Sequence, residues 1–303
     1  METTMKQLLA ILAATTALAG AAQAQEIKEF NIGILGGENA QDRMTGHECF
    51  RVKVEEALGV PVKLFTPADY DGVIQGLVGG TLDFGWLGAS AYAKTYLTDP
   101  EAVEVRLTKQ NVDGTTGYYA FGFARADSGI TSMEQAKGKT FAFADPNSTS
   151  GYLVPAAELQ GQLGDLNQYF SEVKFSGGHE QSIVGVANGD FDAGVSWADG
   201  LGDWEDGFNS GAFRKAADAG LVDMNDLVMI WQSSLIPEGP VVVRKALPAE
   251  VKDKVIQIVA DLHETDKDCA YNVAAGEAKD FVPVTHDAYL GIIEARKLQE
   301  ASN

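Results

Sequence analysis

From Phe30 to Tyr96 the chain repeats one unit three times: a short apolar run, a turn, and a stretch whose apolar residues recur at helical spacing. Phe30 to Leu35, Val62 to Phe65 and Leu82 to Trp86 are the apolar runs. The stretches after them extend through Leu58, where Gly59 ends the pattern, over Asp69 to Val78, and over Ala91 to Tyr96; Gly36-Gly37 makes the first turn. Runs this short, apolar on both faces and bounded by turns, fit strands buried in a parallel sheet, with the helices between them covering its faces. The pattern therefore predicts an α/β fold.

Two segments echo each other across the chain, Gly80-Thr-Leu-Asp83-Phe-Gly-Trp86 and Gly189-Asp-Phe-Asp192-Ala-Gly-Val195. Each follows a helical stretch, uses glycine to stop it, and places an Asp before a short apolar strand. One copy in each of two similar halves fits this spacing, and so does chance likeness between two helix-to-strand connections, which α/β folds contain in number. At 303 residues the chain is long for one core and natural for two. Tyr118 to Ala124, and Leu235 to Val243 with its Pro237 and Pro240, are strand-like runs placed to cross between halves. The expected division is lobe one at residues 25–120 and 241–303 and lobe two at 121–240, a clamp with its cleft between the lobes.

Ahead of these elements the first 24 residues carry Lys6, an apolar run from Leu8 to Leu18, and small residues ending at Ala24. That is the pattern of a cleaved secretory signal, too short in its apolar part for the roughly 20 residues that span a bilayer. A periplasmic location follows as an expectation. Export also places Cys49 and Cys269, the two cysteines of the chain, where disulfides persist. They are expected to join, because the last segment of a chain that crosses twice returns to the first lobe; loop closure over such a length is worth about 4–5 kcal/mol. Two buried thiols are the alternative. The net charge of −20 excludes nucleic acid as a natural partner and disfavours an anionic membrane surface.

The most informative stretch for chemistry is Phe141-Ala-Phe143-Ala-Asp145-Pro-Asn147-Ser148-Thr149-Ser150-Gly151-Tyr152, an apolar strand running through a turn into a helix near Gly151. A helix start leaves N–H groups without partners and carries partial positive charge, so it can hold an oxyanion without a cation. One Ser or Asn would suffice as an N-cap. Three consecutive hydroxyl residues exceed that need and add donors aimed the same way. Gly177-Gly178 then precede His179 at a second helix start, where the ring could donate toward a bound anion. The four histidines lack zinc-site spacing, and no Cys-x-x-Cys, Walker loop, Gly-x-Ser-x-Gly elbow or dinucleotide fingerprint appears, so no cofactor or metal is expected.

Ala68-Asp69-Tyr70-Asp71-Gly72-Val73-Ile74-Gln75-Gly76, the Asp145 to Gly151 turn, Gly178-His179-Glu180 and Ser234-Leu-Ile-Pro237 together resemble the phosphonate-binding component of ABC importers, in the same order along the chain. The resemblance implies a monomeric, two-lobed type II periplasmic binding protein that delivers its ligand to an ABC permease in the inner membrane and is not an enzyme. It implies that Ser148, Thr149 and Ser150 grip the phosphonate oxygens, that His179 completes that half, and that Tyr70 and Tyr118 reach in from lobe one. Relatives that take 2-aminoethylphosphonate carry an acid after the second repeat strand. Asp199 stands there, one carbon shorter than the Glu of those relatives. A second acid expected after Leu-Ile-Pro is replaced by Gly239, with Glu238 one step earlier. Capture by neutral donors implies weak salt dependence. Alternatives are a receptor for phosphate, phosphite or another small tetrahedral oxyanion, a sensor with the same binding site, and a periplasmic phosphonate or phosphate ester hydrolase.

Overall fold

The alternation read from the sequence builds two mixed sheets. The computed structural model describes residues 27–36 and 40–302. The expected leader, residues 1–24, and Gly37 of the first turn lie outside the described residues. The first sheet draws on β1 (Phe30–Gly33), β2 (Val62–Phe65), β3 (Phe84–Trp86) and β4 (Val103–Gln110), interleaved with α1 (Ala40–Leu58), α2 (Tyr70–Val78) and α3 (Ala89–Thr98). The second comprises β5 (Gly117–Arg125), β6 (Thr140–Phe143), β7 (Glu172–Phe175), β8 (Ala193–Ala198), β9 (Leu227–Gln232) and β10 (Ile236–Pro237). Between these strands lie α4 (Val154–Leu163), α5 (Leu166–Tyr169), α6 (His179–Asn188) and α7 (Ala212–Asp218). The chain then returns through β11 (Pro240–Arg244), α8 (Ala249–Thr265), α9 (Lys267–Ala274), β12 (Asp280–Pro283) and α10 (Leu290–Ser302).

Strand order in the first sheet is β12-β4-β11-β3-β1-β2, and in the second β10-β5-β8-β6-β7, with β9 also pairing β5. Each sheet has a central strand flanked by two parallel neighbours, β1 between β2 and β3, and β6 between β7 and β8. An antiparallel strand follows in each, β11 beside β3 and β5 beside β8. The echoed segments occupy equivalent places in these two frames. Asp83 Oδ2 accepts the Asn31 N–H at 2.9 Å, and Asp192 Oδ2 accepts the Thr140 N–H at 2.8 Å. In both halves the Asp of the turn thus satisfies a backbone donor near the start of the central strand, one residue before that strand pairs with its partner.

Changes of sheet fall within residues 111–116 and 238–239. β5 lies wholly in the second sheet from Gly117 and does not cross, and the expected strand from Leu235 to Val243 is broken at Glu238-Gly239 into β10 and β11. Pro237 and Pro240, one on each side of Glu238-Gly239, explain the break, since neither has an N–H to extend a ladder. The crossings are therefore short links without regular structure, not strands.

Local sequence explains the helices that matter most. Asp69 caps α2 by accepting the Gly72 N–H at 2.9 Å, and Tyr70, Val73, Ile74 and Leu77 form its buried stripe. α6 buries Ser182, Ile183 and Val186 and stops at Gly189, whose φ of 84° suits only glycine well. Phe121, Phe123 and Phe213 fill the second core and Phe30, Phe50 and Phe84 the first, each side chain contributing about 1.5–3 kcal/mol by burial. Cys49 of α1 and Cys269 of α9 are joined by a disulfide, with Cα atoms 5.8 Å apart. No helix among the described residues is long and apolar enough to cross a membrane.

Candidate ligand-binding site

β6 delivers the chain to the cleft. It ends at Phe143, and the turn that follows, Asp145 to Ser148, feeds one π-helical turn, Thr149–Leu153, that continues into α4. Ser148 is the N-cap, its Oγ accepting the Gly151 N–H at 2.9 Å. Gly151 is required here: a Cβ would stand 2.6 Å from Ala144 Cβ and 2.8 Å from Ser148 Oγ. The site lies beyond the carboxyl ends of the parallel strands, where open α/β sheets place ligands.

A cavity of about 180 Å³ opens at this point, between the two sheets. Tyr70, Tyr118, Ser148, Thr149, Ser150 and His179 all line it. Ser148 Oγ lies 3.0 Å from His179 Nε2, and Ser196 Oγ lies 3.3 Å from His179 Nδ1. Thr149 Oγ1 accepts the Ser90 N–H of α3 at 2.8 Å. The Tyr118 hydroxyl interacts with those of Ser150 and Thr149. Burial pushes the Tyr118 phenol far up, with the nearby Glu238 carboxylate adding to the effect, so Tyr118 remains a protonated donor. These hydroxyls stand together at one helix start, an arrangement able to donate hydrogen bonds to a tetrahedral oxyanion.

Asp199 does not join them. It is 2 % exposed and outside the cavity lining, and its Oδ1 accepts the Leu201 N–H at 3.1 Å. Its N–H donates to Ser210 O as β8 gives way to the following loop, and its Oδ2 is buried without a hydrogen-bond partner. The acid at the cavity wall is Glu238, facing Lys109 of β4 with 2.8 Å between Nζ and Oε1. The contact is ionic in distance but out of line for a hydrogen bond, since Glu238 Oε1 has no hydrogen-bond partner. Lys109 Nζ donates to Ser210 Oγ at 2.8 Å and lies 5.4 Å from the centre of the Trp197 ring. Gly239 is closed to any side chain, for a Cβ there would overlap the Leu87 carbonyl oxygen. A lysine in the wall corrects the expectation of neutral donors alone. Lys109 left no signal in the sequence, lying in a strand that the apolar pattern did not mark; Trp86 and Trp197, the aromatic walls, sit in strands that it did.

Contacts also tie the two sides of the cleft together. Asp145, at the end of β6, reaches the first N–H of α2 at Tyr70, 3.5 Å away, and accepts the Asn147 N–H at 2.7 Å. Burial raises its carboxyl, the neighbouring Asp69 charge adding to the rise. Arg296 of α10, itself buried, donates to Pro146 O at 2.9 Å and to Asn147 Oδ1 at 2.7 Å. Among the described residues no cluster of three or more His, Cys, Asp or Glu could hold a metal ion.

A family model described as ABC transporter, phosphonate, periplasmic substrate-binding protein matches residues 32–289. The chain is 28 % identical over 86 % of its length to the Phosphate-import protein PhnD of Mycolicibacterium smegmatis, covering 83 % of that protein. It is 29 % identical over 84 % of its length to the Phosphonates-binding periplasmic protein of Escherichia coli, covering 72 % of it. A solved binding-protein component of an ABC phosphonate transporter from Pseudomonas aeruginosa superposes with a TM-score of 0.76 at 27 % identity, covering 91 % of this chain and 89 % of that one. The proteins it matches are transport receptors, not enzymes, and their fold is the type II periplasmic binding fold. With a match that spans most of its length and a cleft built from hydroxyls at a helix start, this chain belongs to the phosphonate periplasmic substrate-binding proteins of ABC transporters.

Proposed function

We propose that this receptor is exported by its N-terminal segment, captures a small phosphonate or a related tetrahedral oxyanion such as phosphite or phosphate, and hands it to a membrane permease. The observation that carries the reading is the convergence of Ser148, Thr149, Ser150, Tyr118, Tyr70 and His179 on one cavity. In this reading the three consecutive hydroxyls and the first-turn N–H groups hold the oxyanion. Tyr118 and Tyr70 donate from the other side.

The tautomer of His179 follows from the donor requirement. Ser148 Oγ already accepts the Gly151 N–H and has one hydrogen to give. If that hydrogen went to His179, none would face the ligand. The imidazole therefore carries its proton on Nε2, donates to Ser148 Oγ, and accepts from Ser196 on Nδ1. Ser148 then donates its hydrogen to the oxyanion.

Residues from both sheets form the wall, which supports two lobes that close on the ligand, the second running from about the 111–116 turn to the 238–239 turn. Binding energy stabilises the closed form, and that form is what a permease would recognise. Isothermal titration of the mature protein, stripped of ligand by unfolding and refolding, with methylphosphonate, phosphite and phosphate tests the reading. Tight one-to-one binding of any of them supports an oxyanion receptor and ranks the ligands. Silence with all three would overturn it.

A further inference from the structure

Two residues with formal charge line the cavity among those described, Lys109 and Glu238, and they are paired. Both are nearly out of solvent, with side-chain exposures of 7 % and 9 %. Each faces the other inside the wall, so no carboxylate among the described lining residues stands without a counter-ion. Asp199, the other acid near this end of the cleft, does not line the cavity, and its Oδ1 accepts the Leu201 N–H. An ammonium group on a ligand tail would find one carboxylate among the described lining residues, Glu238, already facing Lys109 at 2.8 Å, and would have to sit beside the lysine ammonium or displace it.

We propose that Lys109 is a specificity-determining residue, the pocket's own cation, which makes this receptor reject phosphonates with a cationic tail and accept those whose tail is small and uncharged. The inference rests on the oxyanion-receptor reading and names the ligand class of that same site. Like charges brought together away from water repel strongly, and discrimination is built as much by repulsion as by attraction. Lys109 is fixed for this role from three directions: Glu238 from the turn between β10 and β11, Ser210 Oγ from the loop after β8, and the face of Trp197. An ammonium has three donors; Ser210 takes one and Glu238 faces a second, leaving the lysine able to turn one toward a bound oxygen. A lysine so placed favours the anionic head and opposes a second cation near it.

The test compares two ligands of nearly equal shape that differ in tail charge, propylphosphonate and 2-aminoethylphosphonate, by isothermal titration at neutral pH. The wild-type protein is expected to bind propylphosphonate at least about tenfold more tightly, a discrimination that like-charge repulsion readily supplies. Lys109→Met leaves Glu238 without its counter-ion and is expected to shift the ratio toward the amine by about tenfold or more. Glu238→Gln keeps the lysine and is expected to retain the preference for the uncharged tail. The wild-type comparison needs no variant, so it stands even where Lys109→Met fails to fold. Tighter binding of 2-aminoethylphosphonate by the wild type, or an unchanged ratio in folded Lys109→Met, would overturn the inference while leaving the receptor reading intact. Failure to bind phosphite, phosphate or any phosphonate would instead overturn the receptor reading.

Discussion

His179 Nε2 lies 3.0 Å from Ser148 Oγ while its Nδ1 lies 3.3 Å from Ser196 Oγ, so one imidazole links a cavity hydroxyl to a hydroxyl buried behind it. Removing the ring by His179→Ala leaves Ser148 undirected and is expected to cost about 1–3 kcal/mol of oxyanion binding. Ser196 does not line the cavity, yet Ser196→Ala removes the donor that holds Nδ1 as an acceptor and is expected to weaken binding by a smaller amount, about 1 kcal/mol. Titration of both variants with one ligand checks the relay. Unchanged affinity in folded Ser196→Ala would show that the ring needs no support from behind.

Gly151 and Gly161 stand in one continuous helical segment with opposite requirements. A Cβ at Gly151 meets Ala144 Cβ at 2.6 Å and Ser148 Oγ at 2.8 Å, whereas at Gly161 nothing lies within 4 Å. Gly151→Ala is expected to destabilise by about 1–3 kcal/mol through overpacking, and to weaken ligand binding because the displaced atom caps the helix start proposed to hold the anion. Gly161→Ala should stabilise by about 0.5–1 kcal/mol, since alanine replaces glycine in a helix interior without strain. Thermal unfolding of the two variants, with and without ligand, separates the outcomes.

Arg296 is a second residue whose effect should exceed its distance from the ligand. From α10 its guanidinium donates to Pro146 O and Asn147 Oδ1 of the turn that carries the hydroxyls, and to Ser90 Oγ of α3 at 3.3 Å. In the proposed clamp these bonds exist in the closed form, so they add to affinity without touching ligand. Arg296→Ala is expected to lower affinity by about tenfold or more, within the range for hydrogen bonds to a charged group, and to do so through faster release. Stopped-flow release rates decide this; a change confined to the association rate would contradict a closure role.

The α/β class and the gathering of hydroxyls at one helix start were legible because each depends on local signals. Strands β2 and β5 fall close to where apolar runs place them, and the Ser148 cap forms at the expected helix start. The Gly-x-x-Asp echo pointed to two like halves, and the paired bonds from Asp83 and Asp192 give it a physical meaning. Less legible was anything that depends on neighbours distant in sequence. Lys109 reads as an ordinary charged residue, and only the approach of Glu238 and Ser210 reveals it as part of the cavity wall. Asp199 has the expected residue type at nearly the expected place, but its Oδ1 accepts the Leu201 N–H of the loop after β8 and the residue does not line the cavity. Position along a chain does not set the direction of a side chain where an irregular loop begins.

Salt should act on the speed of capture more than on its strength. The protein carries a net charge of −20 and its ligand class is anionic, so long-range repulsion slows encounter when it is not screened. The screening length falls from about 30 Å at 0.01 M to about 8 Å at 0.15 M ionic strength, so added salt should raise the association rate. In the proposed binding mode the oxyanion is held by hydroxyls and helix N–H groups at contact, with Lys109 and Glu238 facing each other in the buried wall, where screening is weak. The dissociation rate should therefore stay nearly flat. Affinity is expected to hold or improve slightly across that range, opposite to a receptor that draws its anion in with exposed arginines. Stopped-flow measurement of both rates at the two ionic strengths checks this. A tenfold loss of affinity at the higher salt would mean that uncompensated cations, not the helix-start hydroxyls, provide most of the hold on the ligand.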